Sequence, residues 1–340
     1  MSELIKIKLT ETLSKLGEEL LNPSPQLLEI IERERQYNAW FVPENVLQAV
    51  QAIGKMLNRK DLEKWLPEDA DTVFTGKKVG LVLAGNIPVV GFHDVLCVLV
   101  SGDFAMIKAS ASDSRIITYI LKRLVALEPE FANRYEFTER LAGFDAVMAT
   151  GSNNTSRYFE YYFSKVPHII RKNRNSMALL SGFETEEDLH KLGHDIFDYF
   201  GLGCRSVSKI LVPEGYDFGV LFRAIESFQP IINHHKYNNN YDYNKSVYLV
   251  NQAKHLDNGF LLLKQDENIA SPLAVLFYDF YKNLEDAAAK INAKKDAVQC
   301  VVSGMKLNID VPVVSFGESQ QPRLWDYADG VDTMAFLRTI

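Results

Sequence analysis

The sequence predicts an α/β protein of two domains, entered through a helical N-terminal segment, and three observations lead there. Short runs rich in Val, Ile and Leu recur near residues 79, 104, 144, 176, 207, 273 and 298. Segments with helical spacing of apolar residues stand between them. Alternation of this kind belongs to parallel sheets with helices on their faces. The chain is also long enough, at 340 residues with 47% hydrophobic, to bury more than one core.

The elements follow in order. Helical spacing covers Glu3 to Leu21, Pro25 to Arg35 and Pro43 to Leu57, with Asn22-Pro-Ser-Pro as a break. Val79-Gly-Leu-Val-Leu reads as a buried strand, Gly85 to Pro88 as a tight turn, Val89 to Val100 as a helix and Phe104 to Lys108 as a second strand. This β-α-β unit leaves Lys108 at the carboxyl end of its strand, where open α/β sheets place ligands. Asp113 to Leu127 reads as the next helix. Phe144-Asp-Ala-Val-Met-Ala-Thr then gives a strand, and Ser152 to Phe163 a helix whose first amide groups can receive phosphate oxygens. A domain boundary is expected near Ser176. Beyond it come a helix over Glu184 to Tyr199, strands near 207 and 273, a helix over Leu284 to Ala293 and a strand near 298. The tract His234-His-Lys-Tyr-Asn-Asn-Asn-Tyr-Asp-Tyr-Asn is expected to form a polar loop. No GxGxxG fingerprint is present.

Charge and cysteine usage narrow the function classes. A net charge of -7 argues against a general nucleic-acid or anionic-membrane surface, so any phosphate site is local. Met1 to Thr12 lacks an apolar signal core, and Pro88, His93, Asp94 and Asp103 interrupt the apolar stretch from 79 to 107. A soluble cytoplasmic protein without a membrane span is expected. The three cysteines show no CxxC pair and no ligand spacing, and few unpaired thiols suit a reducing compartment. Cys97 and Cys300 lie in apolar stretches and read as core. Cys204, in Gly201-Leu-Gly-Cys-Arg-Ser, stands behind small residues, which leaves its sulfur approachable; it is a nucleophile or a packing residue. His190 and His194 are four apart, but the surrounding acids favour a solvated helix face, and no metal is assigned. His168, Arg171, Lys172 and Arg174 are either phosphate contacts or ordinary surface charge.

The order of the pieces says more than any one of them. A strand ending in Gly85-Asn86-Ile87-Pro88, a strand ending in Lys108, a strand ending in Thr150-Gly151-Ser152 and then Cys204 resembles the aldehyde dehydrogenase superfamily. Within it the chain is similar to the LuxC-type fatty-acyl reductases, from roughly Val79 to the C-terminus, including the closing Val314-Ser-Phe-Gly-Glu-Ser-Gln-Gln-Pro-Arg-Leu. The resemblance implies a helical entry with a Rossmann-type cofactor domain over residues 1–175. It further implies an α/β catalytic cysteine domain over 176–315 and a segment 316–340 packing back on the core. Cys204 falls on the family's nucleophile and Asn86 on its oxyanion asparagine. Gly85, Lys108, Ser110, Thr150, Gly151 and Ser152 fall on its cofactor-binding positions.

Departures from the superfamily pattern refine the expectation. The hydrolytic members carry a glutamate base in an E-L-G-G-K segment, and the matching Ile170-Arg-Lys-Asn-Arg has no acid. A second family glutamate, in E-I-F-G-P, corresponds to Asn268. The missing length is expected to include the oligomerisation hairpin, since only Leu66 to Lys78 is available before the first cofactor strand. The implied reaction is reduction of an acyl-CoA or acyl-carrier thioester, fatty acyl by resemblance, to the aldehyde through a Cys204 acyl-enzyme. Nearby dipoles or Arg205 can lower the pKa of that thiol. NADPH is preferred over NADH, which stays possible. Family members that use NAD tend to carry a glutamate where Lys108-Ala-Ser-Ala places Ala111, and Asp113 is the acid nearest in sequence. The resemblance also implies an acyl-activating synthetase as partner and a homo-oligomer. Three alternatives stand beside this reading: a CoA-acylating aldehyde dehydrogenase working oxidatively, a catalytically idle scaffold of the same fold, and a nucleotide-binding regulator that would need no approachable cysteine.

Overall fold

The computed structural model describes residues 2–66 and 76–340, in two compact units formed by residues 1–173 with 322–340 and by 174–321. The tract expected to lack the oligomerisation hairpin falls mostly on 67–75 and lies outside the described residues.

The first unit begins with four helices, α1 (Ser2–Leu21), α2 (Pro25–Arg33), α3 (Pro43–Met56) and α4 (Arg59–Trp65). Each boundary has a local cause. Ser24 caps α2 by accepting the Leu27 N–H, Pro25 and Pro43 occupy first-turn positions, and Asn58 caps α4 at the Asp61 N–H. Then follow β1 (Lys78–Val82), α5 (Phe92–Val100), β2 (Phe104–Lys108), α6 (Arg115–Leu127), β3 (Tyr135–Phe137), β4 (Ala146–Thr150), α7 (Asn153–Phe163) and β5 (His168–Arg171). The five strands are parallel in the order β3-β2-β1-β4-β5. The order reverses between β1 and β4, and at such a reversal an open α/β sheet forms its ligand crevice. α5 is buried without a break from Val95 to Val100, as an apolar helix held in the core must be. It starts three residues later than the sequence spacing suggests because Val89 adopts a left-handed φ of 51°, which no α-helix accommodates.

The second unit comprises β6 (Asn175–Leu179), α8 (Glu186–Phe197), β7 (Val207–Pro213), α9 (Phe218–Ala224), α10 (His235–Val250), β8 (Leu256–Asp257), β9 (Leu262–Gln265), β10 (Val275–Tyr281), α11 (Leu284–Asn292), β11 (Val298–Val302) and β12 (Val313–Val314). The strand order is β12-β11-β6-β7-β10-β9-β8, parallel except for the β8–β9 pair. Ala178, Leu180, Ile210 and Val212 join one apolar cluster, while the alternate residues Met177, Leu179 and Leu211 join another. This period of two shows a sheet buried on both faces, the reason its strands read as continuous apolar runs in the sequence. The chain then returns to the first unit through α12 (Thr333–Leu337).

The expected polar loop after His234 is instead the 16-residue helix α10. Tyr237, Tyr241, Asn244 and Tyr248, spaced four, three and four apart, make one buried face. The Tyr237 hydroxyl donates to the Phe260 carbonyl at 3.0 Å and Asn244 Nδ2 to the Leu273 carbonyl at 3.0 Å. Asparagine is a poor helix former, and burial of the tyrosine face outweighs that local cost.

Candidate functional site

In the first unit, the cofactor candidates gather at one sheet edge because β1, β2 and β4 are parallel and in register, Val82 opposite both Lys108 and Ala149. Past β1 the chain turns through Gly85 and Asn86. Past β2 it runs through Ser110 and Ala111 to Asp113. A Cβ on Gly85 would overlap the Ser110 hydroxymethyl group and lie 2.9 Å from Ser112 Oγ, so only glycine lets these two loops touch. Ser110 Oγ and Ser112 Oγ are 2.8 Å apart, and Ser112 Oγ reaches the Gly85 carbonyl at 3.4 Å. Lys108, Ala111 and Asn86 are exposed along this edge. Past β4, Thr150 leads into Gly151, whose missing Cβ would meet Phe159 Cε2 of α7 at 2.9 Å. Ser152 caps α7, accepting the Thr155 N–H at 3.2 Å. Gly85, Asn86, Lys108, Ser110, Thr150, Gly151 and Ser152 therefore share the carboxyl edge flanking the β1–β4 reversal. An exposed lysine, small residues allowing close backbone approach and the amino end of a helix suit the phosphates and ribose of a dinucleotide.

Asp113 is not on that exposed edge. It is 5% exposed, and its Oδ2 accepts the Val89 N–H at 2.9 Å, while Oδ1 has no partner among the described residues. Burial drives its carboxyl up to about 8, against the pull of the Val89 N–H. Asp113 thus anchors the turn that presents Asn86 and holds Val89 in its strained left-handed conformation, which is costly for a β-branched residue.

Cys204 lies in the second unit, on the turn that enters β7 at its amino end. It is half-buried, whereas Cys97 and Cys300 are fully buried. Burial pushes both of those thiols up in pKa, away from the reactive thiolate. Three consecutive residues upstream of Cys204, Tyr199, Phe200 and Gly201, hold left-handed φ angles of 54°, 59° and 75°. Two of them are aromatic and buried, and Phe200 is fixed against His234 with ring centroids 4.3 Å apart. Strain in non-glycine residues survives only where packing over-determines it, and it concentrates at functional turns. Downstream, the Cys204 carbonyl accepts from Ser176 Oγ at 3.1 Å, the same hydroxyl lying 3.1 Å from the Cys300 sulfur. The structure therefore brings the cofactor candidates together in one unit and sets Cys204 in the other.

The remaining charged and polar candidates have defined surroundings, and one of them changes meaning. Arg171 is neither surface charge nor a phosphate contact. It is 4% exposed and binds Asp94 at 2.6 Å, Thr333 Oγ1 at 3.1 Å and the Ala328 carbonyl at 2.9 Å, which fastens the C-terminal segment to α5. Lys172 pairs with Glu160 at 2.8 Å. His190 and His194 are exposed, pack on Phe228, and His194 Nδ1 lies 3.1 Å from Asp198, whose contact raises its pKa. Asn268, at the position of the second family glutamate, is exposed and donates to Asp266 at 2.9 Å. Among the described residues, no helix is long and apolar enough to cross a membrane.

Comparison with known proteins agrees with the topology. The chain matches solved aldehyde dehydrogenases along nearly its whole length. Aldehyde dehydrogenase 21 from Physcomitrella patens, solved with the product succinate, is 12% identical with a TM-score of 0.67, covering 98% of this chain and 84% of that one. An acetylating aldehyde dehydrogenase from Geobacillus thermoglucosidasius gives 10% identity, a TM-score of 0.62 and coverage of 95% and 87%. The NADP-dependent glyceraldehyde-3-phosphate dehydrogenase from Bacillus halodurans, complexed with NADP, gives 13%, 0.61, and 92% and 80%. At these identities the likeness shows the fold. No curated protein matches by sequence. The profile of the acyl-CoA reductase (LuxC) family matches residues 9–218, more than half of the chain, a span that includes Gly85, Asn86, Lys108, Ser110, Thr150, Gly151, Ser152 and Cys204. The chain is an oxidoreductase and belongs to the LuxC acyl-CoA reductase family.

Proposed function

We propose that this enzyme reduces an acyl-CoA or acyl-carrier thioester, with fatty acyl groups as the favoured class, to the aldehyde with NADPH through a covalent Cys204 thioester. The observation that carries the proposal is the strained Tyr199–Gly201 turn, which delivers the one half-buried thiol of the chain while the other two are sealed in the core. The Cys204 thiolate attacks the thioester carbonyl, and the resemblance to the family assigns the Cys204 backbone N–H and the Asn86 side-chain amide as donors to the tetrahedral oxyanion. Collapse expels the CoA thiolate and leaves the acyl group on sulfur. The Lys108 edge would hold NADPH, which would supply the hydride for reduction of this thioester. A second collapse releases aldehyde and restores the Cys204 thiolate.

The choice of NADPH rests on charge. Ala111 is exposed where the NAD-using relatives carry an acid, Lys108 is exposed beside it, and Asp113 is buried and mostly neutral near pH 7. A 2′-phosphate there meets a cation and no exposed carboxylate from these three positions. The matching Ile170–Arg174 stretch offers no acid to activate water, and Arg171 within it is consumed by Asp94 and Thr333. The acyl-enzyme therefore waits for hydride or returns to CoA. An acyl-activating synthetase supplying the thioester, a homo-oligomeric assembly and a cytoplasmic location complete the proposal.

Mixing the protein with acyl-CoA alone tests it. At most about one CoA should be released per active site, with the acyl mass on Cys204, because hydrolysis lacks the general base that normally contributes about 100- to 10,000-fold. Adding NADPH should start steady aldehyde formation. Rapid multiple-turnover release of free acid without NADPH overturns the reading.

A further inference from the structure

A relay of buried polar groups runs from α8 to the Cys204 turn, all within the second unit. Asp195 on α8 is 1% exposed, and its two carboxylate oxygens accept one backbone donor each, the Gly317 N–H at 2.7 Å and the Ser319 N–H at 3.0 Å. Asp195 forms no ion pair among the described residues; burial pushes its carboxyl up to about 6, the two backbone donors offset that only in part, and together they specify one conformation of the loop it grips. Gly317 sits at φ 82°, and a Cβ there would meet Lys191 Cβ at 3.2 Å. The gripped loop carries Gln320, whose Nε2 donates to Ser206 Oγ at 3.1 Å. Ser206 is 2% exposed and closes the Cys204 turn from both sides: its Oγ accepts the Gly203 N–H at 3.2 Å and its own N–H donates to the Gly203 carbonyl at 3.0 Å.

We infer that Asp195, Gln320 and Ser206 are positioning residues for acyl transfer, fixing the Gly203–Ser206 turn so that the Cys204 sulfur and backbone N–H keep the geometry the tetrahedral oxyanion requires. This rests on the assignment of Cys204 as nucleophile and extends it to a loop more than a hundred residues away in sequence. The physical reason is that an oxyanion donor acts only if it is aimed before the charge develops, and a displacement of about 1 Å can cost about a hundredfold in rate. Ser206 Oγ accepts both the turn's own amide and the Gln320 amide, so loss of Gln320 frees the serine hydroxyl to rotate away from Gly203. Asp195 sets where Gln320 stands.

A double-mutant cycle tests the relay. Gln320→Ala, Ser206→Ala and the double variant are compared with the parent protein for single-turnover CoA release from acyl-CoA, for the alkylation rate of Cys204 by iodoacetamide, and for NADPH Kd and Tm. Gln320→Ala should lower kcat and single-turnover CoA release by about tenfold or more, with KM and NADPH Kd within about twofold of the parent. The double variant should be no slower than Ser206→Ala by more than about twofold, because both changes break the same link. Asp195→Asn, which keeps one acceptor oxygen, should fall between Gln320→Ala and the parent. Additive effects in the cycle, or parental CoA release in Gln320→Ala, overturn the relay. Cys204→Ala separates the two claims: if it still releases CoA, the nucleophile assignment fails, and if it is inert while Gln320→Ala is not slowed, only the relay fails.

Discussion

Replacing Asp113 with asparagine should change how stability depends on pH, and the structure sets the size of the change. The carboxyl is 5% exposed, has one donor at Oδ2 and none at Oδ1 among the described residues, and burial raises its pKa from 3.8 to about 8. The sign follows from the direction of that shift. A folded state that holds a proton more tightly than the unfolded chain is stabilised at low pH, fully below about 4, and loses that contribution as pH rises through about 8. Within this window the loss is about 1.4 kcal/mol per pH unit, so it reaches about 3 kcal/mol between pH 5 and 7.5. The asparagine side chain would keep a carbonyl oxygen for the Val89 N–H and cannot ionise. The free energy of unfolding of Asp113→Asn minus that of the parent, measured by urea titration across pH 5 to 8.5 with the transition of the first unit followed, should therefore rise with pH and level off above about 8. A flat difference would mean that Asp113 is ionised at ordinary pKa and hydrated, which removes the anchor argument and restores a carboxylate beside the candidate ribose site. A difference that falls with pH would mean that a partner stabilises the charged form. The variant should also keep its preference for NADPH, since the native side chain carries little charge near neutrality.

Three other expectations concern catalysis. Asn86→Ala should lower kcat by about a hundredfold or more with a smaller effect on KM, because in the proposed mechanism its amide binds charge that develops only in the transition state; unchanged kcat assigns Asn86 to the turn alone. Ala111→Glu should move the ratio of kcat/KM toward NADH and Lys108→Ala should weaken NADPH more than NADH, and a parent enzyme that already favours NADH defeats the charge argument. Cys97→Ala and Cys300→Ala should still take the acyl group on Cys204 by peptide mass spectrometry, at a stability cost of about 1 kcal/mol or more for each buried side chain lost, whereas acyl label found on either site in the parent defeats the assignment.

The sequence by itself determined the elements whose signals are local. Period and β-branched runs located β1, β2, β4, β6, β7, β10 and β11 to within a few residues, since a strand buried on both faces must be apolar throughout. The order of Asn86, Lys108, Thr150-Gly151-Ser152 and Cys204 carried the family, because turn glycines and strand ends are fixed by backbone geometry that the residue types reveal. Tertiary structure alone decided what a charged or polar side chain meets. Asp113 reads as an acid near a ribose and is a buried anchor for Val89. Arg171 reads as a phosphate contact or surface charge and is a buried tie to Asp94 and Thr333. The tract after His234 reads as a loop and is a helix, because burial of Tyr237, Tyr241 and Tyr248 outweighs asparagine propensity. The relay from Asp195 through Gln320 to Ser206 joins residues distant in sequence, and no spacing rule within the chain encodes a contact that exists only once β7, α8 and the 317–320 loop are packed together.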